Sequence, residues 1–208
     1  MLKADSLYIY ETMSDTLKEK KKLLRNKILR RRDKLPPEER QVKSRIIETS
    51  LFNLPDIISA QNIFFYVSFR SEVQTHEIIR AVLASGKTVT VPVTDMKQRR
   101  LVLSRIESFE DDLAPGTMGI LEPGPEKLRP VPAQQVDVVI TPGAVFCEKG
   151  WRIGYGGGFY DRFLSEFKKM SYALAFELQV VQDVPYDLRY DVGVDYIITE
   201  NRVISCKD

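Results

Sequence analysis

Three apolar runs limit the folds open to this chain: Asn62 to Ser68 (NIFFYVS), Thr88 to Val93 (TVTVPV) and Val136 to Thr141 (VDVVIT). The first is continuous and aromatic-rich, as in a strand buried on both faces. Helical patterns fall between and after these runs. Thr75 is placed to cap a helix carrying Ile78, Ile79, Val82 and Leu83, with Gly86 as its stop, and Phe159 to about Met170 forms another. Leu101 to Ile106, Tyr172 to Phe176, Tyr196 to Thr199 and Val203-Ile204 complete the strands. Strands alternating with helices of this length predict an α/β fold, a mostly parallel central sheet with helices on both faces. Ligands of such sheets bind beyond the C-terminal ends of the strands, which directs attention to residues 69–75 and 142–161.

At the N-terminus, residues 1–16 show no sustained period and are read as an extension of uncertain order. Residues 17–208 form the single α/β domain. Leu17, Leu24, Ile28 and Leu35 recur at helical spacing in a very basic helix that Pro36-Pro37 ends. Pro37, Glu38 and Glu39 then open a second helix, running to about Phe52, with proline and acids in its first turn. Residues 107–135, rich in Pro and Gly, form a long surface excursion.

The formal charge of +2 hides an uneven distribution: Lys18 to Lys34 holds ten basic and two acidic residues, so +8 sits in 17 residues and the remaining 191 sum to −6. With 43% hydrophobic and 29% charged residues, the chain is of ordinary globular composition. No apolar run approaches the roughly 18 residues of a membrane span and no secretion signal opens the chain, so no membrane partner is expected and a cytoplasmic location is the default. Cys147 and Cys206 stand far apart, which argues for buried free thiols over a zinc site or a disulfide framework.

Chemistry concentrates in Gly150-Trp-Arg-Ile-Gly-Tyr-Gly-Gly-Gly-Phe-Tyr-Asp-Arg162. Glycines at this density let backbone N–H groups approach a ligand, and ahead of a helix they make an anion cradle. Arg152 and Arg162 could contact phosphate oxygens, Trp151 and Tyr155 could stack on a planar ring, and Asp161 could hold a divalent cation. The segment is not a P-loop, since no GK[ST] follows, and matches a dinucleotide fingerprint only at Gly154-Tyr-Gly156. A plain glycine-rich turn, with Tyr160, Phe163 and Phe167 packing the next helix, is the other reading of the bare residues.

Pro142-Gly-Ala-Val-Phe146 followed by Gly150 to Leu164 resembles the signature of the 5-formyltetrahydrofolate cyclo-ligase (5,10-methenyltetrahydrofolate synthetase) family. Lys21-Lys-Leu-Leu-Arg25 with Pro37-Glu-Glu-Arg40 resembles the family's basic N-terminal helix, and Ser71-Glu-Val-Gln-Thr75 its segment after the first strand; the match runs from about Lys18 to Thr199. The resemblance implies an ATP-dependent ligase that cyclises 5-formyltetrahydrofolate to 5,10-methenyltetrahydrofolate, releasing ADP and phosphate through a phosphorylated formyl group. Its partners would be the two small molecules, with magnesium as cofactor, no nucleic acid, and a monomeric chain.

Carried over by position, the resemblance gives ATP contacts at Lys21, Lys22, Leu23, Leu24 and Arg25 and at Arg152, Ile153, Gly154, Tyr155, Gly156, Gly157, Gly158, Phe159 and Tyr160. Folate contacts fall to Val67, Glu72 and the stretch Tyr155 to Phe159, metal binding to Asp161 and Asp191, and catalysis to Arg152 and Tyr160. Lys21 and Arg25, four residues apart, share a helix face and can reach one polyphosphate; Arg30, Arg31 and Arg32 are left as solvated charge. Glu72 could bond the N–H groups of a pterin or simply precede a helix as an acid. His76 is assigned no catalytic part. Two readings compete with the cyclo-ligase: another kinase or ligase using the same loop, and a nucleic-acid-binding module using the basic helix, whose affinity would fall steeply with salt.

Overall fold

The computed structural model describes residues 2–206, with side chains from Thr16 onward. The helices are α1 (Leu2–Asp33), α2 (Pro37–Phe52), α3 (Pro55–Ser59), α4 (His76–Ala84), α5 (Phe109–Asp112) and α6 (Phe159–Glu166). The strands are β1 (Asn62–Phe65), β2 (Thr88–Asp95), β3 (Arg100–Ile106), β4 (Leu113–Pro115), β5 (Leu121–Pro123), β6 (Val138–Thr141), β7 (Val145–Cys147), β8 (Arg152–Ile153), β9 (Met170–Leu174), β10 (Val180–Val181), β11 (Tyr196–Ile198) and β12 (Val203–Ser205).

A seven-stranded sheet of order β12-β11-β9-β6-β1-β2-β3 forms the centre. Its five inner strands are parallel, and β3 and β12 close the edges antiparallel. The expected mostly parallel sheet with helices on both faces is therefore the observed one. Side chains alternate as the pleat requires. Ile63 and Phe65 of β1, Val138 and Ile140 of β6 and Leu174 of β9 pack with Ile47 and Leu51 of α2 and Ile78, Ile79 and Val82 of α4. Phe64, Val139 and Ala173 point the other way, toward Leu164 of α6.

The basic helix expected from Leu17 begins at Leu2, so α1 takes in the N-terminal extension from that residue; Met1 lies outside the described residues. The helix expected to reach Met170 ends at Glu166, because Met170 already belongs to β9. Residues 107–135 hold α5 and the β4–β5 hairpin. Among the described residues, no helix is long and apolar enough to cross a membrane.

A small second sheet, β10-β7-β8, carries the first residues of the glycine segment. Ile28 of α1 is buried against Val145 and Cys147 of β7 and Ile153 of β8, with Leu24 and Leu29 beside it. That contact lays the basic helix along the glycine segment. Cys147 and Cys206 are both free, the first buried and the second half-buried.

Candidate active site

The chain leaves β1 toward β2 on one side of the sheet and leaves β6 toward β9 on the other. The crevice between the C-terminal ends of β1 and β6 is thus the topological switch point, where open α/β sheets bind ligands. The loops that follow these two strands meet there.

After β1, the chain folds into a tight loop held by its own polar groups. The Tyr66 hydroxyl donates to Val73 O at 2.9 Å, and the Thr75 hydroxyl donates to Tyr66 O and accepts from Ser68 N, each at 2.9 Å. Thr75 therefore ties the loop to β1 instead of capping α4, which has no side-chain cap. The loop turns Glu72 inward, where it is 8% exposed. Glu72 Oε2 accepts from Phe69 N at 2.8 Å, and Oε1 accepts from the Tyr155 hydroxyl at 2.5 Å. Burial raises the Glu72 carboxyl above its ordinary value, against the pull of Tyr155, Phe69 N and Arg32. Val67 is buried in the core at the end of β1. His76 bonds Ser68 O at 3.0 Å and packs on Phe109, outside this cluster.

The glycine segment needs its glycines at specific points. Gly150 has φ +83°, and a Cβ there would stand 2.4 Å from Val194 O. Gly156 has φ +103°, and a Cβ there would lie 3.6 Å from Arg25 Nη1, so the α1 guanidinium rests against the bare backbone. Gly158 precedes α6 in the left-handed conformation and no side chain caps that helix; the Arg162 guanidinium lies beside it, 2.9 Å from the position of a Gly158 Cβ, and Asp161 sits in the first turn.

Around this loop the charges pair in a chain. Arg152 is 4% exposed, and its Nη2 donates to Asp161 Oδ1 at 3.1 Å, while its buried Nε has no protein partner. Burial lowers the Arg152 guanidinium from its ordinary value, and the Asp161 and Asp191 carboxylates work against that. Asp161 Oδ1 also accepts from Val192 N at 3.3 Å. Asp191, one residue earlier, accepts from Lys21 Nζ and, at 2.6 Å, from Asp187 N. The two expected metal carboxylates are thus brought to the same edge of the loop. Among the described residues no cluster of three ligating side chains exists, and both carboxylates are ion-paired, Asp161 to Arg152 and Asp191 to Lys21; carboxylate oxygen is nonetheless the donor type that magnesium takes, one or two together with substrate phosphates. The donor set fits the ion.

One expectation is corrected. Arg32, read as solvated charge, is 3% exposed: its guanidinium donates to Ser71 Oγ at 3.0 Å, Gly143 O at 3.4 Å and the Tyr155 hydroxyl at 3.0 Å. Arg162 lies over the glycine turn, donating to Gly157 O at 2.8 Å and to Arg99 O at 2.5 Å, with its guanidinium beside the Phe159 ring. Trp151 is stacked on Tyr186 at 4.0 Å between ring centroids, so one face of its ring is already covered. Tyr155 keeps a half-exposed ring. Tyr160 lies edge-on to Phe64, with the Arg152 guanidinium 5.8 Å from its ring centre. Lys22 and Leu23 face solvent, while Leu24 and Ile153 belong to the apolar contact between α1 and the small sheet.

Arg32 is the residue that sequence reasoning passed over. Its signal was present: Lys21, Arg25, Ile28 and Arg32 follow at spacings of four, three and four, one continuous helix face. Gln179, which donates to Gly143 O at 3.0 Å and Ala144 O at 3.1 Å and so fixes the turn after β6, carried no such signal.

A model of the 5-formyltetrahydrofolate cyclo-ligase family matches residues 17–200. The chain is 29% identical over 179 residues to a 5-formyltetrahydrofolate cyclo-ligase of Escherichia coli, covering 85% of this chain and 98% of that one. It is 28% identical over 200 residues to the Mus musculus protein of the same name, covering 91% and 98%. The solved structure of Aquifex aeolicus 5,10-methenyltetrahydrofolate synthetase matches with a TM-score of 0.80 and 31% identity, over 90% of this chain and 93% of that one.

Proposed function

Because the chain belongs to the 5-formyltetrahydrofolate cyclo-ligase family, we propose that it joins the N10 nitrogen of 5-formyltetrahydrofolate to the formyl carbon at the expense of ATP, in the cytoplasm and through residues of one chain. Residues 17–208 are the ligase unit in this reading. The observation that carries it is the meeting of two unlike groups on one glycine turn. Arg25 lies against Gly156, and Glu72 takes the hydroxyl of the adjacent Tyr155. Polyphosphate and a ring bearing N–H donors would be held side by side.

A formamide oxygen is a poor leaving group. Attack of that oxygen on the γ-phosphorus releases ADP and makes the oxygen part of a phosphate ester. N10 then attacks the formyl carbon and gives up its proton, the C–O bond breaks, and phosphate leaves with the former formyl oxygen. No enzyme nucleophile is needed, so the protein's work is positioning and charge neutralisation. Arg152, with its buried Nε unpartnered, and Arg25 would bind the transferring phosphoryl oxygens, with Lys21 along the same helix face and the backbone of residues 154–159 beneath. Asp161 and Asp191 would hold a magnesium ion, which supplies charge neutralisation on the phosphates when bound. Glu72 would accept from pterin N–H groups beside Tyr155 and the exposed backbone of Gly156 to Phe159, with Val67 closing the pocket from the core. Tyr160 supports Arg152 through its ring.

The test follows methenyltetrahydrofolate by its near-ultraviolet absorbance, together with ADP release. Wild-type protein forms both in equal amounts, only when ATP and 5-formyltetrahydrofolate are present together. Asp161→Asn and Arg152→Gln abolish both while circular dichroism reports a folded chain. ADP production indifferent to the folate would refute the substrate, and full activity in both variants would refute the site.

A further inference from the structure

The Arg32 guanidinium lies where four segments meet, and the charge of α1 elsewhere along its length does not explain its place there. It comes from the last turn of α1, seven residues after Arg25 and therefore on the same face of the helix, roughly 20° away around the axis. Its Nε donates to Ser71, the residue before Glu72 in the loop after β1. Its Nη1 reaches Gly143 O at the end of β6, and its Nη2 donates to the Tyr155 hydroxyl in the glycine turn. Ser71 in turn donates to Asp33, so the neighbouring α1 residue grips the same loop.

The direction of these bonds matters. A phenol hydroxyl has one proton. With Arg32 donating to the oxygen, that proton is left for Glu72 Oε1, 2.5 Å away. Phe69 N holds the other carboxylate oxygen. Glu72 is thereby fixed at both ends, one of them through Tyr155 from Arg32. Burial, and the Glu72 carboxylate next, hold the Tyr155 phenol above its ordinary value, so the hydroxyl keeps its proton throughout the neutral range.

We propose that Arg32 is a positioning residue for the folate half of the site: it orients the Tyr155 hydroxyl onto Glu72 and thereby presents the carboxylate to the substrate's ring nitrogens. The assignment rests on the cyclo-ligase reading above. It separates Arg32 from Lys21 and Arg25, which share its helix face but meet the loop on the phosphate side.

Steady-state kinetics of Arg32→Gln, Tyr155→Phe and the double variant test it, with Arg31→Gln as an exposed control. Each single variant raises KM for 5-formyltetrahydrofolate roughly ten- to hundredfold, the size of a lost hydrogen bond to a charged group, and changes KM for ATP by less than about threefold. The double variant is no worse than the worse single one, because both remove the same link. Arg31→Gln stays within about twofold of wild type. Tyr155→Phe leaves Arg32 bound to Ser71 and Gly143, so it reads the link even where Arg32→Gln lowers the melting temperature. Independent, multiplying effects on the folate KM, or equal losses in both KM values, overturn the proposal. Thermal midpoints of the same four proteins give the Arg32–Tyr155 coupling without turnover, and additive midpoints also overturn it. Wild-type protein that ignores 5-formyltetrahydrofolate while the midpoints remain coupled instead refutes the substrate.

Discussion

Removing two charges from α1 should weaken ATP binding by an amount that depends on which two are removed. Lys21→Ala with Arg25→Ala strips the face that meets the glycine turn, where Arg25 Nη1 stands 3.6 Å from the position of a Gly156 Cβ and Lys21 pairs with Asp191. A hydrogen bond to a charged group contributes about 1.5–3 kcal/mol. Both side chains keep some contact with water, Lys21 at 20% exposure, so the lower figure applies to each and the pair sums to about 3 kcal/mol. At 1.4 kcal/mol per decade that is about a hundredfold in Kd. Arg30→Ala with Arg31→Ala removes the same +2, but these exposed residues lie roughly 120–140° around the helix from Arg25. Across the width of a helix, about 10 Å, and at physiological salt, where screening acts over about 8 Å, their loss should cost less than threefold, or about 0.6 kcal/mol. Isothermal titration with a non-hydrolysable ATP analogue at constant ionic strength measures both. Equal weakening by the two double variants would show that α1 acts through its overall field, and the assignment of Lys21 and Arg25 would fail. Arg32 is unsuitable as a control because it is buried and bonded to three partners.

Two further outcomes follow from the geometry. Gly150→Ala combines a positive φ with a Cβ 2.4 Å from Val194 O, and should lower stability in urea by at least about 2 kcal/mol. Asp112 is buried; burial alone would raise its carboxyl, but the N–H groups of Glu107 and Ser108 and the Arg129 guanidinium outweigh it and bring it from 3.8 to about 2. Its folded value lies below its unfolded one, so the stabilisation is complete above the unfolded value and disappears as pH falls through the folded one. Asp112→Asn should therefore cost about 2 kcal/mol at pH 7, with the difference from wild type vanishing between about pH 5 and pH 2 in a pH series of urea melts.

The elements of the central sheet were legible because their apolar runs must be buried whatever the connections. Phe64 and Phe65 demand cover on opposite faces, and the structure supplies it. Strand ends were less legible: Tyr66 N still bonds Ile140 O of β6, but Val67 continues the apolar run beyond β1 and begins the Glu72 loop. The glycine segment announced itself by composition, and the positive φ angles at Gly150, Gly156 and Gly158 are what that composition permits. The stacking of Trp151 on Tyr186 was not legible, because Tyr186 is distant in sequence and lies in a stretch without a period.

The sequence by itself determined the α/β class, the two loops that carry chemistry and the basic character of α1. These are properties of local pattern, of period 2 against period 3.6, of glycine density and of charge count. Only the tertiary structure decided which charges of α1 work. Ten cations in one helix look alike in sequence, and packing of Ile28 onto β7 and β8 turns Lys21, Arg25 and Arg32 inward while Arg30 and Arg31 stay in water. The reason is geometric. A helix buries one stripe, and which stripe is fixed by the surface it meets, here the small sheet that the glycine segment itself helps to build.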